Sequence, residues 1–131
     1  MRIAAAALLL AFISAPSHAE DRYSGRYSAE CGDLVCELDI QPKSDGWSIE
    51  WTASDPTKLN AKSKCSLTTT AEIGSAAMGP AGVVSGIAVG TWKNRPFGLF
   101  DLGDGRVSWS SSWTACRGIA PKGIYSLFGD E

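Results

Sequence analysis

The sequence predicts an all-β protein, a small antiparallel up-and-down β-barrel of about eight short strands that disulfides stabilise. Two observations favour it: apolar and polar residues alternate with a period of two, and Gly, Asp, Asn and Pro cluster between the alternating segments. A third is that no segment after residue 19 has the periodicity of an amphipathic helix. A β-sandwich is the alternative, but closing the sheet into a barrel leaves fewer exposed edges.

Residues 1–19 have the features of a secretory signal peptide. Arg2 precedes the apolar run Ile3–Ile13, and small residues allow cleavage after Ala19. The run is shorter than the roughly 20 residues that cross a bilayer as a helix, and the residue immediately after the cleavage point is Glu20, not the cysteine that a lipid anchor needs. We therefore expect a periplasmic or secreted protein with no membrane anchor after cleavage and a single β-barrel domain at 20–131.

The first three strands are predicted at Gly25–Cys31, Leu34–Gln41 and Trp47–Ala53. In the second and third of these, every other residue is apolar or cysteine, and the residues between are mostly polar. One face of each strand therefore suits a core and the other suits water. Asp45 and Gly46, between these two segments, form a typical hairpin turn.

The middle of the chain has weaker signals. Asp55–Lys64 has a helix cap and a proline suited to one short helical turn. Strands are predicted at Cys65–Ile73 and Val83–Trp92 from their β-branched residues. Between them, Gly74–Gly82 contains almost only small residues, so we expect a mobile loop. It is either a plain connection or a segment that settles on a partner.

The last strands are predicted at Phe97–Leu102, Arg106–Trp113 and Gly123–Phe128. The second of these has the clearest alternation in the chain, with valine, tryptophan and serine on one face. Two turns support the assignment. One is Gly103–Gly105, and the other is Lys93–Pro96, whose proline cannot donate to a ladder and so belongs at the start of a strand.

Four cysteines in an oxidising compartment indicate two disulfides, for which three pairings are possible. We prefer Cys31 with Cys36, because a turn can join them across four residues, and Cys65 with Cys116. The second pairing closes a long interval and should stabilise the fold by roughly 3 to 4 kcal/mol. A zinc site is not expected, since the spacing lacks paired C-x-x-C motifs.

The composition argues against an enzyme. Cleavage would remove His18, the only histidine, and with it the imidazole for acid–base catalysis. Glu37 and Asp39 lie on the polar side of a predicted strand, and Asp101 lies near Asp104, which belongs to the predicted turn Gly103–Gly105. We therefore expect no catalysis, no cofactor and no metal ion. The net charge of −2 gives no reason to expect nucleic acid as a partner.

The five tryptophans carry most of the functional information. Four occupy predicted core faces, where they either fill the barrel or line a cavity for a small apolar ligand. The fifth, Trp92, ends a strand beside Lys93 and Arg95, which suggests either a contact point for a protein or a glycan or a ring that simply covers the barrel end. The four interior-ligand candidates are Trp47, Trp51, Trp109 and Trp113.

Hydroxyl side chains also follow two predicted strands, and they suit either plain solvent exposure or hydrogen bonds to a polysaccharide. Solvent exposure is the ordinary interpretation of such a polar stripe. The residues are Ser108, Ser110, Ser112, Thr68 and Thr70.

Two functions of different class follow. The first is an exported, non-enzymatic binding protein that contacts an unidentified protein, in the manner of an inhibitor, through surface loops. The second is a carrier of a small apolar ligand in a tryptophan-lined interior. In architecture the expected protein resembles the small exported β-barrels that bacteria use as enzyme inhibitors or ligand carriers. The loop contacts of the first hypothesis are Met78, Pro80, Trp92, Lys93 and Arg95.

Overall fold

The protein is a closed antiparallel barrel of eight strands in a computed structural model that describes residues 22–57, 65–77, 80, 82–116 and 118–128. Each strand pairs with the next, and β8 pairs with β1. The prediction of an up-and-down barrel is confirmed. The strands are β1 (Gly25–Cys31), β2 (Leu34–Lys43), β3 (Gly46–Ser54), β4 (Cys65–Ala77), β5 (Val83–Trp92), β6 (Arg95–Gly103), β7 (Arg106–Ser110) and β8 (Gly123–Leu127).

Two predictions fall wholly or largely outside the described residues. The signal peptide at 1–19 is one of them. The short helical turn at Asp55–Lys64 is the other, and only its first residues are described. There the Asp55 carboxylate accepts hydrogen bonds from the backbone N–H and the hydroxyl of Thr57, at 3.0 and 2.8 Å.

The alternating residues of the strands point inward and fill the barrel. Register places Leu38 beside Trp51 and Leu99 beside Trp109, and all four side chains are at most 1% exposed. Residues between them point to solvent, as the period-two alternation predicts. The four tryptophans predicted on core faces are all buried: Trp47, Trp51, Trp109 and Trp113.

The prediction of a mobile loop over Gly74–Gly82 is wrong for its first part, because β4 continues to Ala77. This segment pairs with the start of β5, with Ala76 opposite Val84. A register shift beside Gly74 and a φ of +76° at Gly86 mark a bulge there. Backbone pairing therefore orders residues whose side chains carry no strand signal.

The β4–β5 hairpin extends beyond its neighbours. Pairing of β4 with β3 ends at Ala71, and pairing of β5 with β6 ends at Ala88. Residues 72–77 and 83–87 therefore form a two-stranded extension, which we call the β4–β5 arm. The barrel end that carries this arm, together with the β2–β3 and β6–β7 turns, is called the arm end.

Several other strand boundaries differ from prediction by one to three residues, among them those of β6 and β7. β6 begins at Arg95, not after Pro96, since the hairpin turn has only two residues. β7 ends at Ser110, and the chain then turns so that Trp113 covers the barrel end. There the Trp113 indole N–H donates to the Pro96 carbonyl at 2.6 Å.

Both preferred disulfides are present, and the described cysteines are all oxidised. The hairpin disulfide Cys31–Cys36 joins β1 to β2. The long-range disulfide Cys65–Cys116 ties the start of β4 to the connection between β7 and β8. Both lie at the end opposite the arm, which we call the disulfide end. Two such bonds are compatible with an extracellular or otherwise oxidising compartment.

The segment before β1 closes the arm end. Tyr23 is 1% exposed, packs edge-on against Trp47 at 5.0 Å, and donates its hydroxyl to the Leu99 carbonyl. Arg22 bridges the place where β5 and β6 separate. Its Nη2 donates to the Gly86 carbonyl at 3.1 Å, and its Nε lies 3.6 Å from an Asp101 carboxylate oxygen.

Candidate functional site

The tip of the β5–β6 hairpin lies at the disulfide end and consists of only Lys93 and Asn94. Both residues have positive φ, +51° and +64°, as a two-residue type I′ turn requires. Asn tolerates this region, whereas a long side chain such as lysine is uncommon there. The fold thus holds a lysine where glycine would fit with less strain, a pattern found at binding and catalytic sites.

Aromatic rings run from the barrel interior to this tip. Phe97 stacks on Trp109 at 4.5 Å, and Trp109 meets Trp113 edge-on at 6.2 Å. Trp113 in turn stacks on Trp92 at 5.5 Å with 29° between the ring planes. Trp92 is partly exposed and so presents the last ring of a row anchored in the core.

Two cations lie against these outer rings. The Arg95 guanidinium carbon is 5.1 Å from the centre of Trp92 and 5.0 Å from that of Trp113. Lys93 Nζ is 4.7 Å from the centre of Trp92. These distances are typical of cation–π contacts. We call Trp92, Lys93, Arg95 and Trp113 the tryptophan–cation cluster.

The cluster has positive charge that no carboxylate of the described residues balances. Arg95 donates to the Thr114 carbonyl at 3.3 Å, which fixes its direction. In the part of the chain that the structure describes, the ion pairs are Arg22–Asp101 and Lys43–Asp45, and neither involves the cluster. An anionic group could therefore approach Arg95 and Lys93 without displacing an existing partner.

The interior tryptophans are packed and hydrogen-bonded. The Trp51 indole donates to the Tyr125 hydroxyl at 2.9 Å, and that hydroxyl donates to the Pro121 carbonyl. The Trp109 indole donates to the Ser111 hydroxyl at 3.0 Å. Trp51 and Trp109 therefore have the hydrogen-bond partners that a buried indole requires.

Burial raises the pKa of Tyr125 to about 12, although the hydrogen bond from Trp51 acts in the opposite direction. The raised pKa keeps the phenol protonated in the alkaline range where a free tyrosine loses its proton. The proton is needed, since Tyr125 donates it to a buried carbonyl oxygen.

The structure does not bring the two sets of predicted loop residues together. Pro80 is exposed at the arm end, whereas Trp92, Lys93 and Arg95 lie at the disulfide end. The ten residues of β5 separate them, a length of about 33 Å for an extended strand. Met78 falls outside the described residues. A single small contact surface cannot include both ends.

Sequence reasoning missed a surface groove of about 910 Å³ on the outer face of β4 to β7. Gly98, Val89 and Phe100 lie on its lining, and hydroxyl groups including Thr70 and Ser110 surround them. The hydroxyl stripe was the only sequence signal for this surface. A second groove of about 270 Å³ contains Glu37, Asp39 and Glu50 beside Arg26. Neither groove is lined by a tryptophan.

Comparison with protein-family models, curated proteins and solved structures finds no match to this chain. Among the described residues, no group of three or more histidine, cysteine or acidic side chains is placed to hold a metal ion. No helix within the described ranges is long and apolar enough to span a bilayer.

Proposed function

We propose that the protein is an exported, non-enzymatic binding protein whose tryptophan–cation cluster contacts an acidic surface of a protein partner, in the manner of an inhibitor. The observation that carries this is Arg95, whose guanidinium lies against both indole rings and, among the described residues, forms no ion pair with a carboxylate. Tryptophan and arginine are the residues most enriched among those that dominate interface energetics. Here both are held in place before binding, which reduces the entropy lost on association.

Charge and scaffold agree with this function. Lys93 and Arg95 would attract an acidic patch, and Trp92 would supply apolar area next to it. The hairpin tip stands on a closed barrel whose disulfides lie at the same end. A rigid base of this kind suits a surface that binds without rearrangement.

Export to the periplasm or outside the cell is part of the proposal. It rests on the signal-peptide features of residues 1–19 and on two disulfides compatible with an oxidising compartment. The mass of the processed protein tests it: the expected product begins at Glu20. A product that keeps the first nineteen residues would contradict it.

The carrier hypothesis stays an alternative. It requires apolar space between the interior tryptophans, but Trp51 and Trp109 are at most 1% exposed and hydrogen-bonded. An apolar ligand inside the barrel would change tryptophan fluorescence, and Trp109→Ala would abolish its binding while changes at the hairpin tip would not. This packing supports the surface-binding proposal over the carrier.

The direct test is affinity capture from the envelope fraction of the source cell, followed by a titration with the captured protein. Arg95→Ala should weaken the complex at least about 30-fold, the effect of losing roughly 2 kcal/mol. Trp92→Ala should have a similar effect. Arg106→Ala is the matched control, because Arg106 is exposed at the arm end and makes none of the cation–π contacts of the described residues.

The result is informative only if the variants fold, so thermal denaturation accompanies each titration. The association rate should also fall as salt increases, because charge steers the encounter. Equal affinity of wild type, Arg95→Ala and Trp92→Ala for the captured protein would overturn the proposal.

A further inference from the structure

The arm has a strand edge that nothing in the described chain covers. Glu72–Ala77 pairs with β5 on one side, but its pairing with β3 stops at Ala71. Among the described residues, the backbone hydrogen bonds outside the strand ladders do not involve this segment. A free edge of this length presents unpaired N–H and C=O groups to any other strand.

The two edges of the arm differ in whether a charged side chain covers them. On the β5 side, Arg22 donates to the Gly86 carbonyl and pairs with Asp101, so a charged side chain covers that edge. On the β4 side, no charged side chain among the described residues bonds to the strand edge in this way. The chain carries no charged residue from Ile73 to Trp92, although exposed edges usually carry lysine or another charge that prevents pairing.

We propose that the β4 edge of the arm pairs antiparallel with the same edge of a second copy of this chain, forming a two-fold symmetric dimer. A two-fold axis at Ser75 places Ile73 of one copy opposite Ala77 of the other. Ile73 is 47% exposed in the single chain. Pairing would shield this side chain and complete the backbone hydrogen bonds of both edges.

Charge permits this register. The two Glu72 carboxylates fall at opposite ends of the paired segments, about 20 Å apart for six extended residues. The β2–β3 turn beside the edge contains the ion pair Lys43–Asp45, with 3.6 Å between its charged atoms, so the turn has no net charge. Two copies therefore approach without like charges facing each other.

The groove on the outer face of the barrel leaves open space beside the unpaired edge. Ser75–Ala77 and the Lys43–Asp45 turn both contribute to its lining, so it borders the unpaired strand. Eight of the eleven arm residues are Gly, Ala, Ser or Val. Small side chains can enter such a groove without a rearrangement of the barrel wall. The contact is limited in size, so we expect a reversible dimer at the weak end of specific interfaces.

This dimer is independent of the function proposed above. The arm lies at the end of the barrel opposite the tryptophan–cation cluster, so both clusters stay accessible in the dimer. Loss of dimerisation would leave partner binding by a single copy intact, and loss of partner binding would leave the dimer intact.

The test is sedimentation equilibrium of the signal-processed protein from about 1 μM to about 500 μM, the range in which weak interfaces associate. The apparent mass should rise towards twice that of the monomer. Ser75→Lys should weaken the dimer at least tenfold, because it places two lysines face to face at the axis. Ser85→Lys is the matched control, since Ser85 is exposed and lies opposite Ser75 on the covered strand.

A charge exchange makes the test specific. Ser75→Glu alone should also be monomeric, and a mixture of Ser75→Lys with Ser75→Glu should recover association as a heterodimer. A wild-type protein that is monomeric throughout the concentration range would overturn the proposal. So would a dimer that Ser75→Lys leaves unchanged, or one that Ser85→Lys weakens equally.

Discussion

Tyr125→Phe tests the hydrogen-bond chain that links the barrel interior to the β7–β8 connection. The substitution deletes one oxygen atom and retains the ring. It leaves the Trp51 indole N–H without an acceptor and the Pro121 carbonyl without this donor. Trp51 is fully buried and Pro121 is less than 2% exposed, so water does not replace the lost hydroxyl.

The expected loss follows from these two groups. A buried polar group without a partner costs about 1 to 3 kcal/mol of stability. Phenylalanine is less polar than tyrosine and so costs less to bury, which offsets part of the loss from the two groups. The net loss in the free energy of unfolding should be about 2 to 4 kcal/mol. For a domain of this size that is a decrease in melting temperature of about 10 °C or more.

The assay is urea denaturation followed by tryptophan fluorescence at neutral pH. Tyr23→Phe is the matched control, because it removes one hydroxyl from a ring that is equally buried. That hydroxyl makes a longer hydrogen bond, 3.2 Å, to the single acceptor Leu99. We expect this control to lose about 1 kcal/mol. If Tyr125→Phe costs no more than Tyr23→Phe, the hydrogen-bond reasoning is refuted.

Three further outcomes are expected. Folding raises the pKa of Tyr125 from 10.0 to about 12, so this tyrosine loses its proton at lower pH in the unfolded chain than in the folded one. The free energy of unfolding should therefore fall between pH 10 and 12. It should fall by roughly 2 to 3 kcal/mol more in wild type than in Tyr125→Phe. Equal alkaline denaturation profiles would contradict this. Gly46→Ala should unfold at a much lower temperature than Gly32→Ala. A Cβ at position 46 would lie 2.1 Å from the Ala71 carbonyl oxygen, whereas a Cβ at position 32 would meet nothing within 4 Å. Replacing the two cysteines of the long-range disulfide by alanine should lower the free energy of unfolding by about 4 kcal/mol in denaturant titrations. The same change at the hairpin disulfide should lower it by about 2 kcal/mol, because that bond closes a much shorter loop. Equal losses would show that loop entropy does not govern these contributions.

The barrel was predictable because its core is built from side chains that alternate strictly. Trp47–Ala53 and Arg106–Ser110 pair apolar and polar residues at a period of two, and nearly every inward position is large. The disulfide pairing was predictable as well. Cys31 and Cys36 lie within reach of a tight turn, which leaves one pairing for the other two cysteines.

The arm was not predictable by the same reasoning. Gly74–Ala77 has side chains too small to show alternation, and its strand conformation comes from pairing with β5. Trp113 also appeared to continue a strand, because Ser111 and Trp113 keep the alternation. In the structure the chain turns after Ser110, since the Trp113 indole reaches the Pro96 carbonyl of another strand.

The tryptophan–cation cluster was only partly visible in the sequence. Trp92, Lys93 and Arg95 are close neighbours in the chain, so a contact point could be suggested. Trp113 supplies the second ring that Arg95 contacts, but it lies far from Arg95 in the sequence. Only tertiary packing brings it into the cluster. The groove is likewise a product of curvature across four strands, which no local pattern encodes.

The stacked pair at the disulfide end has a spectroscopic consequence. Two indoles whose centres are 5.5 Å apart couple their electronic transitions, because their transition dipoles interact strongly at that separation. Circular dichroism of the native protein should therefore contain an exciton contribution from Trp92 and Trp113, and Trp92→Phe should remove it while the contribution of Trp109 and Trp113, 6.2 Å apart, remains. That signal reports on the geometry of the hairpin tip without any label, and its change on adding a partner would reveal whether the two rings stay together in the complex.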